Sequence, residues 1–193
     1  MARWEGNTRG RLERAALDLF TEQGYDRTTV AQIAHRANLT ERSFYRWFTD
    51  KREALFGGGE ELERAFVAAM AGVPDGTGPL ATLLAAFATA SEVFRPREFL
   101  RERAAVIAAN PPLQERELIK LASLSRTLTS ALVDRGHDEP TARLATDAAM
   151  AIFRLAGDRW MAAEDADYAA LLSASAADLL TILAEENAPS PQP

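Results

Sequence analysis

The chain has 193 residues, of which 47% are hydrophobic and 26% charged, with no cysteine and a formal net charge of −6. This composition is that of a globular protein large enough to bury a core, and the lack of cysteine excludes disulfides, thiolate metal sites and thiol nucleophiles. No apolar run approaches the ~20 residues that span a bilayer, and the first residues carry no apolar signal segment, so we expect a cytoplasmic protein with no membrane partner.

The charges are distributed unevenly along the chain. Residues 1–55 hold 10 Lys and Arg against 8 Asp and Glu, a net charge of +2, whereas residues 56–193 hold 12 against 20, a net charge of −8. A slightly basic head on an acidic body fits a protein that contacts phosphates with one end only. This charge asymmetry alone is weak evidence for DNA binding, because many proteins that bind no nucleic acid have a similar charge distribution.

The first two predicted helices have clear boundaries. Apolar residues recur at helical spacing and predict an amphipathic helix over residues 8–23, which ends at Gly24, where a left-handed residue is needed. Thr29 and Gln32 have the spacing of a capping box, which predicts a short helix over about 29–37. The apolar face of the first helix comprises Leu12, Ala15, Ala16, Leu19 and Phe20.

A second short helix follows after a tight turn. Asn38 tolerates the left-handed backbone conformation better than most residues, and Thr40 is a good N-cap. The helix predicted over about 41–48 turns Phe44 and Phe48 inward, one turn apart. Two short helices joined by a tight turn, with apolar residues only where the elements pack, have the layout of a helix-turn-helix DNA-binding domain.

Burial of the two phenylalanines leaves exposed the side-chain types that contact DNA. An arginine bonds bidentately to guanine O6 and N7, while hydroxyl groups and a lysine at a helix start hold phosphates. The candidates are Thr40, Arg42, Ser43, Tyr45, Arg46, Trp47 and Lys51. The alternative is that Tyr45 and Arg46 lie on an ordinary solvated face, and that Thr29 and Thr40 act only as helix caps.

Three consecutive glycines follow this domain. Asp50 and Glu53 form a further cap signature that predicts a longer helix, yet Gly57, Gly58 and Gly59 fall inside it, where each costs about 1 kcal/mol relative to alanine. One hypothesis is that the helix linking two domains is weakened here and acts as a hinge. The alternative is a tolerated local defect or a loop.

The rest of the chain predicts only helices. They lie over about 79–94, 98–109, 112–135, 139–162 and 166–186, separated by breaks that contain proline or glycine. No segment alternates as a strand would. The predicted fold class is all-α with about nine helices: an N-terminal three-helix helix-turn-helix domain over 1–55, a C-terminal helical bundle over 56–187 and a flexible tail over 188–193.

Three segments of the first 55 residues match a known pattern in both spacing and residue type. They are Thr28-Thr29-Val30-Ala31-Gln32-Ile33-Ala34, Phe44-Tyr45-Arg46-Trp47-Phe48 and Lys51-x-Glu53-Ala54-Leu55. Together they resemble the TetR family of transcription regulators. The resemblance implies an all-helical homodimer that binds double-stranded operator DNA with its N-terminal domain and a small-molecule effector with its C-terminal domain. Carried over by position, it places Thr29 and Gln32 at the DNA-facing start of the second helix and Lys51 on a phosphate.

Two positions depart from the family pattern. The family often has glycine in the turn, where this chain has Asn38, and lysine or glycine just after the cap, where it has Glu41 and Arg42. Glu41 would repel a phosphate or accept a hydrogen bond from cytosine N4. The resemblance therefore does not reveal the operator sequence.

The C-terminal part has a looser resemblance of its own. An Arg-rich helix, the break at Asn110-Pro111-Pro112-Leu113 and a Leu-rich helix ending in Asp134-Arg135-Gly136 resemble the effector domain of mycofactocin-associated members of the same family. That resemblance implies an effector of the acyl-CoA or fatty-acid type. The candidate effector-binding residues are Phe66, Phe87, Phe94, Ile107 and Leu121, with Arg103 as a polar group. Several of them would serve equally well as plain core.

The last two helices predict a dimer interface. Small and apolar residues recur on each of them, which fits close packing of four helices about a two-fold axis. The residues are Ala148, Ala151, Ile152 and Leu155 on one helix and Leu172, Ala176, Leu179 and Leu183 on the other.

The function expected from these features is transcription regulation. We expect a nucleoid-associated repressor that a small, mainly apolar effector releases from a palindromic operator. An enzyme is disfavoured, because the two histidines are isolated and the chain has neither a nucleophile elbow nor a nucleotide loop. No cofactor or metal site is predicted. A helical adaptor that binds only protein is the remaining alternative.

Overall fold

The computed structural model describes residues 8–186, and within that range it contains nine α-helices and no strand. The helices are α1 (Thr8–Gln23), α2 (Val30–Arg36), α3 (Glu41–Tyr45), α4 (Gly59–Ala71), α5 (Pro79–Ala88), α6 (Arg97–Ala108), α7 (Pro111–Asp134), α8 (Glu139–Ala162) and α9 (Tyr168–Glu186). Two 3₁₀ turns lie at Glu53–Leu55 and Thr89–Glu92. The all-α prediction is confirmed, and the tail predicted over 188–193 lies outside the described residues.

Most helix boundaries fall where the sequence places them, because local signals define them. α1 has the predicted bounds, and Gly24 follows it with a φ of +86°. Asn38 adopts the left-handed conformation between α2 and α3, with a φ of +53°. Each of these residues ends a helix by turning the chain in a way that most side chains resist.

The longer helix predicted from residue 50 is wrong at its start. Oδ1 of Asp50 accepts hydrogen bonds from the N–H groups of Arg52 (2.8 Å) and Glu53 (3.2 Å), but this cap opens only a single 3₁₀ turn. Gly58 then takes a φ of +88°, which an α-helix does not allow, and α4 begins at Gly59. Gly57 and Gly58 therefore form a turn before the helix, and Gly59 is its first residue, so none of the three lies in the helix interior.

The described chain divides into two compact units. Unit 1 contains the residues up to Glu60 together with Arg95–Ala122, and unit 2 contains Glu61–Phe94 and the residues from Ser123 onward. α6 and the first half of α7 thus group with the N-terminal helices, which the predicted boundary at residue 55 does not anticipate. The division into a DNA-binding and an effector domain remains a prediction.

Unit 1 has one hydrophobic core that extends from α1 to α7. Leu12, Ile33 and Phe44 share it with Ile107 of α6 and Leu113 of α7, all at most 2% exposed. Polar contacts reinforce the same packing. Arg14 of α1 pairs with Glu102 of α6, and Nε of Arg103 donates to the carbonyl of Leu55 (2.6 Å). Arg116 and Lys120 of α7 both pair with Glu53, at 2.6 and 2.9 Å.

Unit 2 is built around the packing of α5, α8 and α9 against one another. Its buried side chains are mainly aromatic and aliphatic: Phe66, Met70, Leu83, Phe87, Leu128, Leu132, Ile152 and Leu172. Arg135 fixes the end of α7 to the end of α4 by donating to the carbonyls of Met70 and Val73, both at 2.9 Å. These bonds satisfy carbonyls that the end of α4 leaves without a helical partner.

The turn at Gly57 leads to a stability prediction. A Cβ at position 57 would collide with the carboxylate of Glu13, which is 1% exposed and paired with both Arg9 and Arg95, so it has no free space to move into. We expect Gly57→Ala to lower the free energy of unfolding by about 1–3 kcal/mol, as overpacking does. Thermal denaturation followed by circular dichroism measures it.

Gly59→Ala is the matched control. No atom lies within 4 Å of a Cβ at position 59, and the residue begins α4. The same added methyl group should therefore leave the Tm unchanged or raise it. Equal Tm values for the two variants would contradict the tight packing of Gly57 against Glu13.

Candidate nucleic-acid interface

The start of α2 is fixed by a capping box. The Thr29 hydroxyl accepts from the backbone N–H of Gln32 (3.2 Å), and Oε1 of Gln32 accepts from the N–H of Thr29 (2.9 Å). The side-chain amide of Gln23 also donates to the same oxygen, at 3.1 Å. The oxygen of the exposed Gln32 is therefore occupied, which leaves its NH₂ group as the part that can contact DNA.

The turn between α2 and α3 is held from a distance by Arg11 of α1. Its guanidinium donates to the carbonyl of Ala37, the C-cap of α2, and to that of Asn38 at 3.5 Å. The N–H of Leu39 closes the turn by donating to the carbonyl of Ala34 at 2.8 Å. No local sequence signal identifies Arg11, because its partners lie 26 and 27 residues away.

α3 is anchored by two phenylalanines. Phe44 is fully buried and Phe48 nearly so, with ring centroids 5.3 Å apart. Thr40 caps the helix by accepting from the N–H of Ser43 at 3.2 Å, as predicted. The helix is shorter than expected: after Tyr45 the chain continues as a turn that still delivers Phe48 to the core.

The opposite side of α3 is open to solvent. Tyr45 and Trp47 are 57% and 45% exposed, which is unusual for such large aromatic side chains. The Arg46 guanidinium lies 5.7 Å from the centroid of the Trp47 ring, a cation–π arrangement. Thr40 and Arg42 are exposed as well. Five of the candidates that the sequence assigned to α3 and its neighbours are therefore exposed, and the sixth, Ser43, is half-buried.

Lys51 does not belong to that surface. Its ammonium donates to three backbone carbonyls of the α1–α2 turn: Tyr25 (2.7 Å), Thr28 (2.9 Å) and Asp26 (3.3 Å). It also lies 4.2 Å from the centroid of the Tyr25 ring. Burial lowers the pKa of Lys51, although the nearby Asp26 opposes this shift. All three donors of Lys51 are thus used within the chain, and a phosphate would have to compete with these carbonyls; the phosphate contact of Lys51 stays a prediction.

The candidate dimer residues divide into exposed and buried sets. Ala151, Leu155 and Leu183 are exposed, and Ala148, Ala176 and Leu179 are half-buried. Ile152 and Leu172 are each only 2% exposed, because they pack inside unit 2 of the same chain, so they are not available to a partner. Leu144 and Leu180, which the sequence analysis missed, are 72% and 61% exposed. Leu144 continues the helical spacing of 148, 151 and 155, and this signal would have identified it.

α9 carries an unusual amount of uncovered apolar surface. By length and composition alone it could cross a membrane, with a mean hydropathy of 1.3 over an 18-residue window of which 17% is buried. Polar residues such as Ser173, Asp178 and Thr181 interrupt the apolar residues of α9, so the sequence shows no continuous apolar run there. The side of α9 that faces α8 is polar in part: Arg159 contacts Ser175 at 3.1 Å and Asp178 at 2.7 Å. The exposed leucines lie elsewhere on the helix.

The effector candidates do not form one group. Phe66, Phe87 and Phe94 lie in unit 2, where the first two rings are 4.6 Å apart. Arg103, Ile107 and Leu121 lie in unit 1. Ile107 belongs to the core of that unit, and Arg103 donates to Leu55 and Glu117 and lies over the Phe56 ring.

Comparisons with known proteins agree with this geometry. The family model of bacterial regulatory proteins of the tetR family matches residues 13–56, and that of the MftR C-terminal domain matches residues 77–184, more than half of the chain. The chain belongs to the TetR family. Members of this family are cytoplasmic regulators rather than enzymes, and they bind DNA, dimerise and bind small molecules.

One relative and two solved structures show how far the similarity extends. TcmR of Streptomyces glaucescens, an HTH-type transcriptional regulator, is 41% identical over 80 residues, which are 42% of this chain and 35% of TcmR. The chain thus matches about a third of that relative's length. A putative TetR-family regulator from Syntrophomonas wolfei has a TM-score of 0.63 at 18% identity, covering 91% of this chain and 94% of its own. FadR of Thermus thermophilus, solved with lauroyl-CoA, has a TM-score of 0.54 at 22% identity over 96% and 98%. At these identities the structures show the fold alone.

The internal hydrogen bonds of Lys51 lead to a prediction that separates a structural role from a DNA contact. Lys51→Met keeps the apolar stem but removes the donor for three carbonyls, so we expect a loss of about 1–3 kcal/mol of stability. DNA affinity should fall as well, while the slope of log affinity against log salt stays unchanged, because no phosphate contact is lost. Fluorescence anisotropy over a salt series measures the slope.

Arg46→Ala serves as the comparison variant for this experiment. Arg46 is exposed on the proposed interface, and its loss should reduce the salt slope by about one. If Lys51→Met reduces the slope by a similar amount and leaves the Tm unchanged, Lys51 does hold a phosphate.

Proposed function

We propose that this protein is a repressor that binds a roughly palindromic operator as a homodimer and leaves it when a small, mainly apolar effector binds. The observation that carries the proposal is the polar, exposed side of α3, held outward by the burial of Phe44 and Phe48. Repression with release by an effector is the behaviour that the resemblance to the family leads us to expect.

The contacts of α3 and α2 support distinct roles in reading DNA. Arg42 is the second residue of α3 and is exposed, so its guanidinium can bond to guanine O6 and N7 in the major groove. Gln32 presents only donors, so it suits a phosphate oxygen or a base acceptor but not the bidentate contact with adenine, in which N6 needs an acceptor. Thr29 and Thr40 act as caps, and the Ser43 hydroxyl lies 3.1 Å from that of Thr40; all three would add hydroxyl contacts to the DNA backbone. Tyr45, Arg46 and Trp47 would line the groove wall.

A second protomer would cover the apolar surface of α8 and α9. Leu144, Leu155 and Leu180 are large, exposed and apolar, and such a surface is a common feature of an interface between protein chains. In such a dimer, the two copies of α3 would enter successive major grooves of the DNA, ~34–36 Å apart. The operator would then carry the same two-fold symmetry.

Unit 2 supports the apolar character of the effector. Its interior holds the rings of Phe66, Phe87 and Phe153, packed with centroids 4.6–5.7 Å apart. An acyl-CoA or fatty-acid effector is the class that the C-terminal resemblance implies, and FadR of Thermus thermophilus is one neighbour with an acyl-CoA. Such a ligand would act by binding more tightly to a conformation of the dimer in which the two copies of α3 do not fit the operator.

The DNA-binding proposal is tested with Arg42→Ala. The duplex is one selected by the protein itself from a random pool, and anisotropy measures affinity for it and for base substitutions within it. The variant should lose about 1–3 kcal/mol of affinity and tolerate substitutions at one position per half-site. Arg126→Ala, which removes an exposed arginine from unit 2, should leave both properties unchanged. Selection that enriches no sequence would overturn the proposal.

The dimer proposal is tested with Leu155→Glu. A charge in the middle of the proposed interface should give a particle close to the 21.1 kDa of one chain at micromolar concentration, whereas the unaltered protein should have twice that mass. Light scattering measures it. Leu118→Glu places the same change on an exposed leucine of α7 and should leave the dimer intact. A monomeric unaltered protein would contradict the proposal.

A further inference from the structure

The hydroxyl group of Tyr168 is buried in unit 2 without a hydrogen-bond partner. The residue is the first of α9 and is 1% exposed. Its hydroxyl oxygen is fully buried and has no hydrogen-bond partner. Buried hydroxyl groups are nearly always paired, so an unpaired one requires an explanation.

Aromatic rings surround Tyr168. The ring centroid of Phe94 lies 4.9 Å away, and those of Phe153 and Trp160 lie 6.2 and 6.3 Å away, all at steep interplanar angles of 72–88°. Phe153 in turn contacts Phe66 and Phe87, at 5.7 and 5.0 Å. We call these six residues the aromatic cluster.

The aromatic cluster extends from the interior of unit 2 to its surface. Phe66 and Phe87 are fully buried, whereas Phe94, Phe153 and Trp160 are only half-buried. The Tyr168 ring lies next to the half-buried rings of Phe94, Phe153 and Trp160, which a ligand entering from solvent would meet first. Ring edges and faces favour other aromatic groups in offset or perpendicular arrangements.

Phenylalanine would fill the same space without the unpaired oxygen. Removing a buried polar group that lacks a partner stabilises a folded protein, so the hydroxyl is a burden to the free protein. Residues that lower stability in this way are retained where binding or catalysis uses them.

We propose that the aromatic cluster binds the effector, and that the effector is an apolar molecule with a ring and a neutral hydrogen-bond acceptor, such as a carbonyl, that receives the Tyr168 hydroxyl. This inference rests on the proposed ligand response, and it excludes the fatty acids that the C-terminal resemblance allows. Burial raises the pKa of Tyr168, so the hydroxyl remains a donor at all physiological pH values. A carboxylate would be unfavourable beside it, because a buried charge needs an opposite charge, and Arg159 is already bound to Ser175 and Asp178.

The experiment uses two probes of equal shape, 2-acetylnaphthalene and 2-ethylnaphthalene, and the variant Tyr168→Phe. Equilibrium dialysis should show that the unaltered protein prefers the ketone. The variant should bind the ketone about fivefold more weakly, as expected for one lost neutral hydrogen bond, and bind the hydrocarbon as before. The Tm of the ligand-free variant should be unchanged or about 2–4 °C higher.

Tyr25→Phe deletes one hydroxyl from unit 1 and should change neither probe's affinity. The inference is overturned if Tyr168→Phe lowers the Tm, if it weakens both probes alike or neither, if neither probe binds, or if lauric acid binds more tightly than the ketone. Operator binding is measured in parallel. Selective ketone binding without operator release would contradict the proposed ligand response and leave the site intact, whereas operator binding by a protein that binds neither probe would contradict only the site.

Discussion

The burial of Phe44 and Phe48 is the constraint on which the orientation of α3 depends. α3 has only five helical residues, and a helix of that length has no stability of its own in water. Its orientation therefore comes from packing, because both phenylalanines lie in the core of unit 1 with Leu12 and Ile33. Fixing one side of so short a helix also fixes which side chains face solvent. The outer side of α3 is then mainly polar because most of the residues between the two phenylalanines and before them are polar in the sequence.

Long-range contacts from side chains to backbone carbonyls set the frame in which α3 lies. Lys51 closes the α1–α2 turn and Arg11 closes the α2–α3 turn, each across at least 23 residues. Arg103 performs the same task between α6 and the 3₁₀ turn at Glu53–Leu55. Cationic side chains are suited to holding such turns, since one charged group can donate to several backbone carbonyls at helix ends and in turns. Basic residues of a DNA-binding domain therefore serve the fold as well as the phosphates.

The sequence predicts the features that depend on neighbouring residues, such as helix caps and turns, and it does not predict the contacts that the tertiary fold creates. The capping box at Thr29, the left-handed Asn38 and the burial of Phe44 each depend on a few neighbouring residues and are confirmed. The bonds of Lys51 to three backbone carbonyls were not predicted, because those carbonyls lie 23–26 residues back along the chain. Ile152 and Leu172 share the apolar character of Leu155, and only the packing of α5, α8 and α9 shows which of them face inward. The unpaired hydroxyl of Tyr168 has no sequence signal at all, because pairing is a property of the surroundings.

The central claim is that the outer side of α3 meets the DNA, and tryptophan indole signals in an NMR titration test it most directly. Trp47 lies on that side, and Trp160 lies in unit 2. Addition of a duplex selected by the protein should shift or broaden the Trp47 indole N–H signal in proportion to the bound fraction while the Trp160 signal moves far less. A Trp47 signal that stays in place at saturation would contradict the account.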